Sequence, residues 1–258
     1  MALPPNLLTR IEHAKRHLDD SRPLSIAVIA ALRHAYDVEL TYTSNAIEGN
    51  TLTHQETALV IEKGITVGGK SLAEHLEAQD HYAAVQYVRE LADKHGKLGR
   101  RDALELHRRI VLRSRPEMAG VLSSLPRRIA GSGVTFPAPV KLPGLMDEFG
   151  TWLANQPDTP EAAFEAHLRL VGIHPFNDGN GRTARLLMNL MLIRGGYPVI
   201  AIRPSDRKRY IEAIEASQTG GDSGPYYVVL GERLADTLED YVEKCREAEA
   251  AARTANLP

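Results

Sequence analysis

The sequence predicts a mainly α-helical fold with one small β-hairpin flap. Three observations support this prediction. Apolar residues recur at three- and four-residue spacing along most of the chain, which is typical of amphipathic helices. Two Ser/Thr-x-x-Glu sequences, at residues 53–56 and 71–74, have the form of the capping box that starts a helix. Glycine and proline cluster at about residues 120–143, where β-prone pieces indicate a hairpin or an irregular flap.

Start and stop signals place the predicted helices along the chain. The first of them follows Pro23 and continues to Glu48, where Gly49 is a natural terminator. The two capping boxes each open a further helix. The same signals predict helices over 101–112, 159–173, from about 180, over 205–217 and from about 226 to 253.

We expect three regions without a Gly/Ser linker between them. They are an N-terminal helical region, 1–96, a core, 97–225, and a C-terminal helix, 226–258. The core contains the flap at about 120–143 and a distinctive loop at 174–185, which carries the chemistry considered below.

Composition and charge exclude several classes of protein. The chain has 258 residues, with 31 lysines and arginines against 33 acidic residues, so nothing in its overall charge predicts a nucleic-acid partner. Cys245 is the single cysteine, which excludes an intrachain disulfide and fits a reducing compartment. The first residues lack the apolar segment of a signal peptide, and the apolar runs are too short for a membrane span. We therefore expect a cytoplasmic protein without a membrane partner.

The loop at 174–185, His-Pro-Phe-Asn-Asp-Gly-Asn-Gly-Arg-Thr-Ala-Arg, combines several chemical groups ahead of an apolar helix. It offers a base in His174, a metal ligand in Asp178 and free backbone N–H groups at a helix N-terminus, which bind anions. Two cations at this end of a helix, Arg182 and Arg185, oppose the helix dipole unless an anion lies between them. The loop therefore predicts a nucleotide phosphate site. The other nine histidines lack such a setting and are assigned to packed or solvated positions.

A second sequence, residues 64–71, matches the P-loop pattern G-x4-G-K-[ST] letter for letter. A P-loop requires a buried strand before it and a helix after it. The preceding residues 53–63 are capped and patterned as a helix. We therefore predict a turn between two helices, in which Gly64 ends the first and Ser71 caps the second.

Residues 174–185 resemble the Fic motif, H-P-F-x-[DE]-G-N-G-R-x-x-R, with every fixed position present. The likeness extends through residues 186–190 and 196–198 and upstream to the flap and the N-terminal helices. It implies a Fic-type helical domain and a protein adenylyltransferase. Such an enzyme uses Mg²⁺ and transfers AMP from ATP to a Ser, Thr or Tyr hydroxyl of a target protein.

The resemblance implies a role for each matching position. His174 corresponds to the general base, and a histidine pKa of about 6.5 suits that task. Asp178 corresponds to the Mg²⁺ ligand, while Phe176 is expected to anchor the loop in the core. Nucleotide contacts are implied for Asp178, Gly179, Asn180, Gly181, Arg182, Thr183 and Arg185 in the motif, for Arg128, Ile129, Ala130 and Gly131 on the flap, and for Tyr210, Ile211 and Gln218 near the nucleoside. For the last three an ordinary amphipathic helix is the alternative.

Residues 44–49, Ser-Asn-Ala-Ile-Glu-Gly, match a second Fic pattern, [ST]-x-x-x-E-[GN]. They resemble the inhibitory helix of one class of the family, here at about residues 40–49. Ser44 and Gly49 are the first and last fixed positions of the pattern. The resemblance implies that Glu48 pairs with Arg185. A carboxylate there would occupy the guanidinium that should hold the γ-phosphate and would repel the phosphates.

The flap is expected to dock the target protein by strand addition along about residues 125–139. Ser123 stands where many relatives carry an arginine, which leaves the register of the flap open. The family also implies that a homodimer can form. Two alternatives remain: a de-AMPylase in which Glu48 positions water, and a non-catalytic ATP-sensing module. The intact base and arginines of the motif argue against the second.

Overall fold

The computed structural model describes residues 3–22, 25–94, 96–128 and 133–255, with side chains as far as residue 248. Within these residues it contains ten α-helices and no strand, which confirms the mainly α prediction. The helices are α1 Pro5–Asp20, α2 Ile26–Ile47, α3 His54–Lys63, α4 Leu72–Ala92, α5 Arg100–Ile110, α6 Leu142–Leu153, α7 Pro160–Ile173, α8 Asn180–Arg194, α9 Arg207–Gln218 and α10 Gly224–Ala255.

Helix α8 lies at the centre of the fold. Every residue from 182 to 192 is buried, so the helix is surrounded on all sides, by α4, α5 and α7 among others. One hydrophobic cluster joins it to residues of all three predicted regions, from Ile11 in α1 to Leu238 in α10. Helices α1 and α10 pack against each other. The N-terminus of α8, which belongs to the motif, is therefore held by a rigid core.

The predicted helix starts are confirmed where the structure describes them. Thr53 accepts a hydrogen bond from Glu56 N–H at 3.2 Å, and the Glu56 carboxylate accepts one from Thr53 N–H at 2.7 Å. Ser71 and Glu74 form the same reciprocal pair at the start of α4. Helix α2 begins at Ile26 behind a Ser25 cap, while Pro23, the predicted start, lies outside the described residues.

Two helices of the fold were not predicted. Helix α1 buries Leu7, Ile11 and further residues at helical spacing, a signal that the N-terminal sequence does carry. Helix α6 begins at Leu142, so Pro143 lies in its first turn rather than in the flap. Proline is tolerated there because the first N–H groups of a helix have no partner within it. The flap therefore ends before residue 142.

The described parts of the flap, 121–128 and 133–138, are irregular rather than strands. Prolines at 126 and 137 remove donors that a strand ladder would need. Arg127 links the two parts through a hydrogen bond from Nη2 to the Pro137 carbonyl at 3.2 Å. Residues 129–132, with the predicted contacts of Ile129, Ala130 and Gly131, lie outside the described residues.

The segment with the P-loop pattern is a turn between two helices, as predicted. Helix α3 precedes it, and Gly64 ends that helix with a φ of 63°. The Lys70 ammonium donates to the Thr51 carbonyl and lies 3.8 Å from the Glu56 carboxylate. The lysine is therefore committed to the connection between α2 and α3. Over the described residues, no helix combines the length and the apolar character needed to cross a membrane.

Candidate nucleotide site between helices α7 and α8

The motif loop is shaped by two left-handed turns. His174 follows the last residue of α7 with φ 50° and ψ 56°, and it is the one non-glycine residue with a positive φ in the described part of the chain. Gly179 precedes α8 with a φ of 74°. A positive φ is strained for histidine, and such strain concentrates at functional sites. The strained turn places His174 at the start of the loop that leads to the N-terminus of α8.

Asn180 closes this loop with its side chain. Its Oδ1 accepts from Phe176 N–H at 2.9 Å, and its Nδ2 donates to the Phe176 carbonyl at 2.8 Å. Thr183 donates both its hydroxyl and its backbone N–H to the Gly179 carbonyl, at 2.8 and 2.9 Å. The side chains of Asn180 and Thr183 therefore shape the loop, and the backbone N–H groups of residues 180–182 are the donors that the N-terminus of α8 offers to an anion.

Because Gly181 has no side chain, another group can approach the N-terminus of α8 closely. A Cβ placed on Gly181 would lie 2.4 Å from Glu48 Oε1 and 3.0 Å from Arg185 Nη1. Any side chain here would collide with the carboxylate in its present position. The Glu48 carboxylate therefore lies directly against the N-terminus of α8, where an anion is favoured by the helix dipole.

The imidazole of His174 is half-buried and stacks on Phe136 of the flap, with ring centroids 4.0 Å apart. Burial lowers its pKa to about 4, and the nearby Arg127 acts in the same direction, while the Val171 carbonyl and Glu48 oppose the shift. The ring is therefore neutral at pH 7. A neutral imidazole has a lone pair that accepts a proton.

Asp178 lies in a network of ion pairs at the other end of the loop. Its carboxylate accepts from Gly179 N–H at 2.6 Å, from Arg182 at 3.2 Å and from Arg115 at 2.7 Å. Burial alone would raise the pKa of Asp178, but the two arginines and the N–H group outweigh it and hold that pKa below its usual value. The carboxylate is therefore ionised at pH 7.

Arg115 and Glu77 are members of this network that the sequence did not reveal. Arg115 lies 3.8 Å from Glu77, and Arg182 lies 4.0 Å from the same carboxylate. Both residues are far from the motif in sequence, and an arginine or a glutamate on its own is usually a solvated surface residue. A network of this kind is visible only once α4 and the segment after α5 pack against the motif.

His107 of α5 supports the loop by contacts with Phe176 and Asp178. Its ring stacks flat on Phe176 with centroids 3.6 Å apart. Gly120 N–H donates to its Nδ1 at 3.0 Å, so Nε2 carries the proton and donates to the Asp178 carbonyl at 3.0 Å. Phe176 is fully buried, which confirms its predicted role as the anchor of the loop. His107 itself occupies a packed position, as predicted for the histidines outside the motif.

Arg185 joins the motif to helix α2. Its Nε donates to Ser44 Oγ at 2.9 Å, and its Nη2 donates to the Ser44 carbonyl at 2.9 Å and to Glu48 Oε1 at 2.7 Å. The arginine is 2% exposed, whereas the Glu48 side chain is 39% exposed. The predicted pairing of Glu48 with Arg185 is present in the structure. Gly49, directly after Glu48, has a φ of 98°, a left-handed conformation that favours glycine and follows the end of α2.

The predicted nucleoside contacts of α9 occupy different environments. Tyr210 is buried, and its hydroxyl lies 2.7 Å from His167 Nε2, so this hydroxyl is directed into the core rather than to the open side of the site. Ile211 is exposed. Gln218 lies beside Gly172 in α7, with a buried Nε2 that has no hydrogen-bond partner. Arg128 is exposed at the edge of the flap.

Known proteins share this arrangement. A sequence model described as the Fic/DOC family matches residues 97–192. The protein adenylyltransferase Fic of Nematostella vectensis is 36% identical over 245 residues, covering 93% of this chain and 56% of that protein. The chain contains a domain of the Fic family.

Solved Fic structures have the same fold. Fic-1 from C. elegans superposes with a TM-score of 0.80 at 28% identity, covering 92% of this chain and 71% of that one. A Fic domain containing signaling protein from Bacteroides thetaiotaomicron superposes with a TM-score of 0.83 at 25% identity, covering 92% and 97%. The chain spans about half the length of the curated Fic relatives it matches.

Replacing His107 by phenylalanine should destabilise this Fic domain. The ring would still stack on Phe176, but the buried Gly120 N–H and Asp178 carbonyl would each lose a partner. We expect a loss of about 2 kcal/mol or more, which lowers Tm by about 5 °C in a chain of this size. Thermal unfolding followed by circular dichroism measures the change. The exposed His13, changed to phenylalanine, is the control, and an equal Tm shift in both variants would contradict the assignment.

Proposed function

We propose that this chain is an autoinhibited protein adenylyltransferase that transfers AMP from ATP to a Ser, Thr or Tyr hydroxyl of a target protein and releases pyrophosphate. The observation that carries the proposal is the position of His174. A strained left-handed turn sets a neutral imidazole beside a helix N-terminus that offers free N–H groups and two arginines. A base next to a phosphate site suits transfer to a hydroxyl. The curated relatives named protein adenylyltransferase Fic support the same activity.

The phosphates would lie at the N-terminus of α8. There the N–H groups of residues 180–182 donate to the phosphate oxygens, and Arg182 and Arg185 neutralise the charge that develops on the leaving pyrophosphate. His174 takes the proton from the target hydroxyl as that oxygen attacks the α-phosphorus. The ring later returns this proton to solvent, since its lowered pKa favours the neutral form.

Asp178 would hold Mg²⁺ in this site. Its carboxylate is ionised, 35% exposed and adjacent to the phosphate-binding N–H groups. The described residues contain no cluster of three or more His, Cys, Asp or Glu side chains that could enclose a metal by themselves. One carboxylate suffices for Mg²⁺, which fills its remaining positions with phosphate and water oxygens. When bound, the ion would neutralise phosphate charge, and Arg115 would yield one Asp178 oxygen to it.

Glu48 acts as the brake in this proposal. Its carboxylate lies 2.7 Å from Arg185 and directly over Gly181, in the space that the γ-phosphate requires. ATP must displace the carboxylate to gain the guanidinium. The brake thus competes with ATP for one cation.

The flap would present the target protein to His174. Phe136 links the flap to the imidazole, and Leu125, also on the flap, exposes an apolar side chain. We propose that these residues give an extended target segment an apolar surface. A target docked here would place its hydroxyl within reach of His174.

Labelled ATP tests the proposed reaction. The Glu48→Gly protein is incubated with a cell lysate, Mg²⁺ and ATP labelled at either the α- or the γ-phosphate. We expect protein bands that require the added enzyme to be labelled from the α-position and not from the γ-position, because AMP transfer retains only the α-phosphate. The lysate without the enzyme gives the γ-label that its own kinases add, and γ-label above this level would indicate phosphorylation instead. Absence of both labels, with ATP binding intact, would indicate a non-catalytic ATP-binding module.

A further inference from the structure

Arg185 is supported by a chain of buried polar side chains that continues into the core behind it. Burial raises the pKa of Tyr210, and the neighbouring Arg185 guanidinium opposes this shift. The Tyr210 hydroxyl lies 2.7 Å from His167 Nε2. On the other side of this ring, His167 Nδ1 lies 2.8 Å from the Tyr226 hydroxyl. The Tyr226 hydroxyl in turn donates to the Phe164 carbonyl at 2.7 Å. The three side chains belong to α9, α7 and α10, and none is more than 1% exposed.

The direction of every hydrogen bond in this chain follows from its last member. A carbonyl only accepts, so the single Tyr226 proton is used on Phe164. Tyr226 oxygen must therefore accept from His167 Nδ1–H. In a neutral ring Nε2 then has a lone pair and accepts from the Tyr210 hydroxyl. Burial lowers the pKa of His167 to about 3, which keeps the ring neutral.

The free end of the chain is a lone pair that faces Arg185. With its proton committed to His167, Tyr210 oxygen can accept from the guanidinium but cannot donate away from it. A guanidinium consists of donors only, so the two groups are complementary. The arginine also donates to Ser44 and Glu48, which lie on α2 and after its last turn. Tyr210 is therefore placed to support Arg185 from the core side, independently of the brake.

We propose that Tyr210 and His167 are positioning residues, which hold Arg185 through this one-directional hydrogen-bond chain in the orientation that receives the γ-phosphate of ATP. The inference rests on the function proposed above. It assigns Tyr210 to Arg185 rather than to the nucleoside. When ATP displaces Glu48, the guanidinium loses one partner and keeps this one. A buried arginine that lacked it would reorient to satisfy its donors elsewhere, and the phosphate would lose a preformed fork.

The test measures nucleotide affinity in the Glu48→Gly protein with and without Tyr210→Phe. Phenylalanine keeps the buried ring and removes only the hydroxyl. We expect about a tenfold weaker Kd for ATP, the loss of one charge-assisted hydrogen bond, with Kd for ADP and AMP unchanged because neither has a γ-phosphate. Isothermal titration calorimetry gives the three constants. Tyr227→Phe is the matched control, since its hydroxyl donates to Glu165 outside the chain.

A second pair of variants separates hydrogen bonding from packing. His167→Gln has an amide that can both donate to Tyr226 and accept from Tyr210, whereas His167→Leu can do neither. We expect the glutamine variant to retain more of the ATP affinity than the leucine variant. His167→Leu also lowers Tm, because two buried hydroxyl groups lose a partner, so affinities are measured below the Tm of both variants. Equal losses in both, or an equal loss for ATP and AMP in Tyr210→Phe, would overturn the inference by showing a general packing defect.

The Glu48→Gly protein without a second substitution, the parent of these variants, separates the inference from the proposed function. If Glu48→Gly alone neither transfers AMP nor prefers ATP to ADP, the proposed function fails. If the parent does both and Tyr210→Phe binds ATP equally well, the function stands and the positioning role is refuted.

Discussion

Glu48→Gly should raise the rate of AMP transfer by about 10- to 150-fold, the range that corresponds to one charge-assisted hydrogen bond. The substitution removes the carboxylate that lies 2.7 Å from Arg185 and fills the space over Gly181. ATP then meets a guanidinium that has lost its carboxylate partner, and no opposing charge. The measurement is the initial rate of α-label incorporation into the enzyme itself and into lysate proteins.

Two further variants sharpen this experiment. Glu48→Gln keeps the size of the side chain and an oxygen that can accept from Arg185, but removes the charge. Its rate should therefore fall between that of the unchanged protein and that of Glu48→Gly. Glu39→Gly tests whether loosening α2 is enough, since Glu39 lies on the same helix and faces His54 instead. A rate for Glu39→Gly equal to that of Glu48→Gly would remove the specific role of the Glu48 carboxylate.

His174→Ala in the Glu48→Gly background should abolish measurable transfer. A positioned general base contributes about 10²- to 10⁴-fold, and without it the target hydroxyl keeps its proton. ATP affinity should persist, because the N–H groups at α8 and the two arginines remain. The paired measurements are α-label incorporation and calorimetric ATP binding.

His174→Asn is the structural control for that experiment. Asparagine adopts the left-handed backbone more readily than most residues, so it preserves the turn at φ 50° while it lacks the base. Both variants should be inactive and still bind ATP. Transfer that survived in either of them would refute the general-base assignment.

The parts of the site that are contiguous in sequence could be predicted. The motif loop lies within twelve residues, and Glu48 lies in a short pattern of its own, so both could be matched to the Fic family, and that resemblance implied the pairing with Arg185. The start signals of α3 and α4 are likewise local and were placed correctly. Local chemistry determines such features, and the sequence displays it directly.

The contributions from distant segments could not be predicted. His107 reaches the Asp178 carbonyl across 71 residues, and Arg115 reaches the Asp178 carboxylate across 63. Each is an ordinary helix or loop residue until packing gives it a partner. Tyr210 shows the same limit from another side: its place on α9 was correct, but its hydroxyl points to His167, because the direction of a side chain depends on the core around it.

The connection between Arg185 and α2 also sets how fast the brake can respond. Two of the three hydrogen bonds from Arg185 to this segment end on Ser44, and only the third ends on the half-exposed Glu48. In the proposed mechanism, rotation of one partly solvated side chain, a motion of picoseconds to nanoseconds, would therefore vacate the phosphate position while the helix stays docked. Inhibition of this kind would be set by a rotamer equilibrium that follows the ATP concentration immediately, with no delay from a helix that has to leave and return.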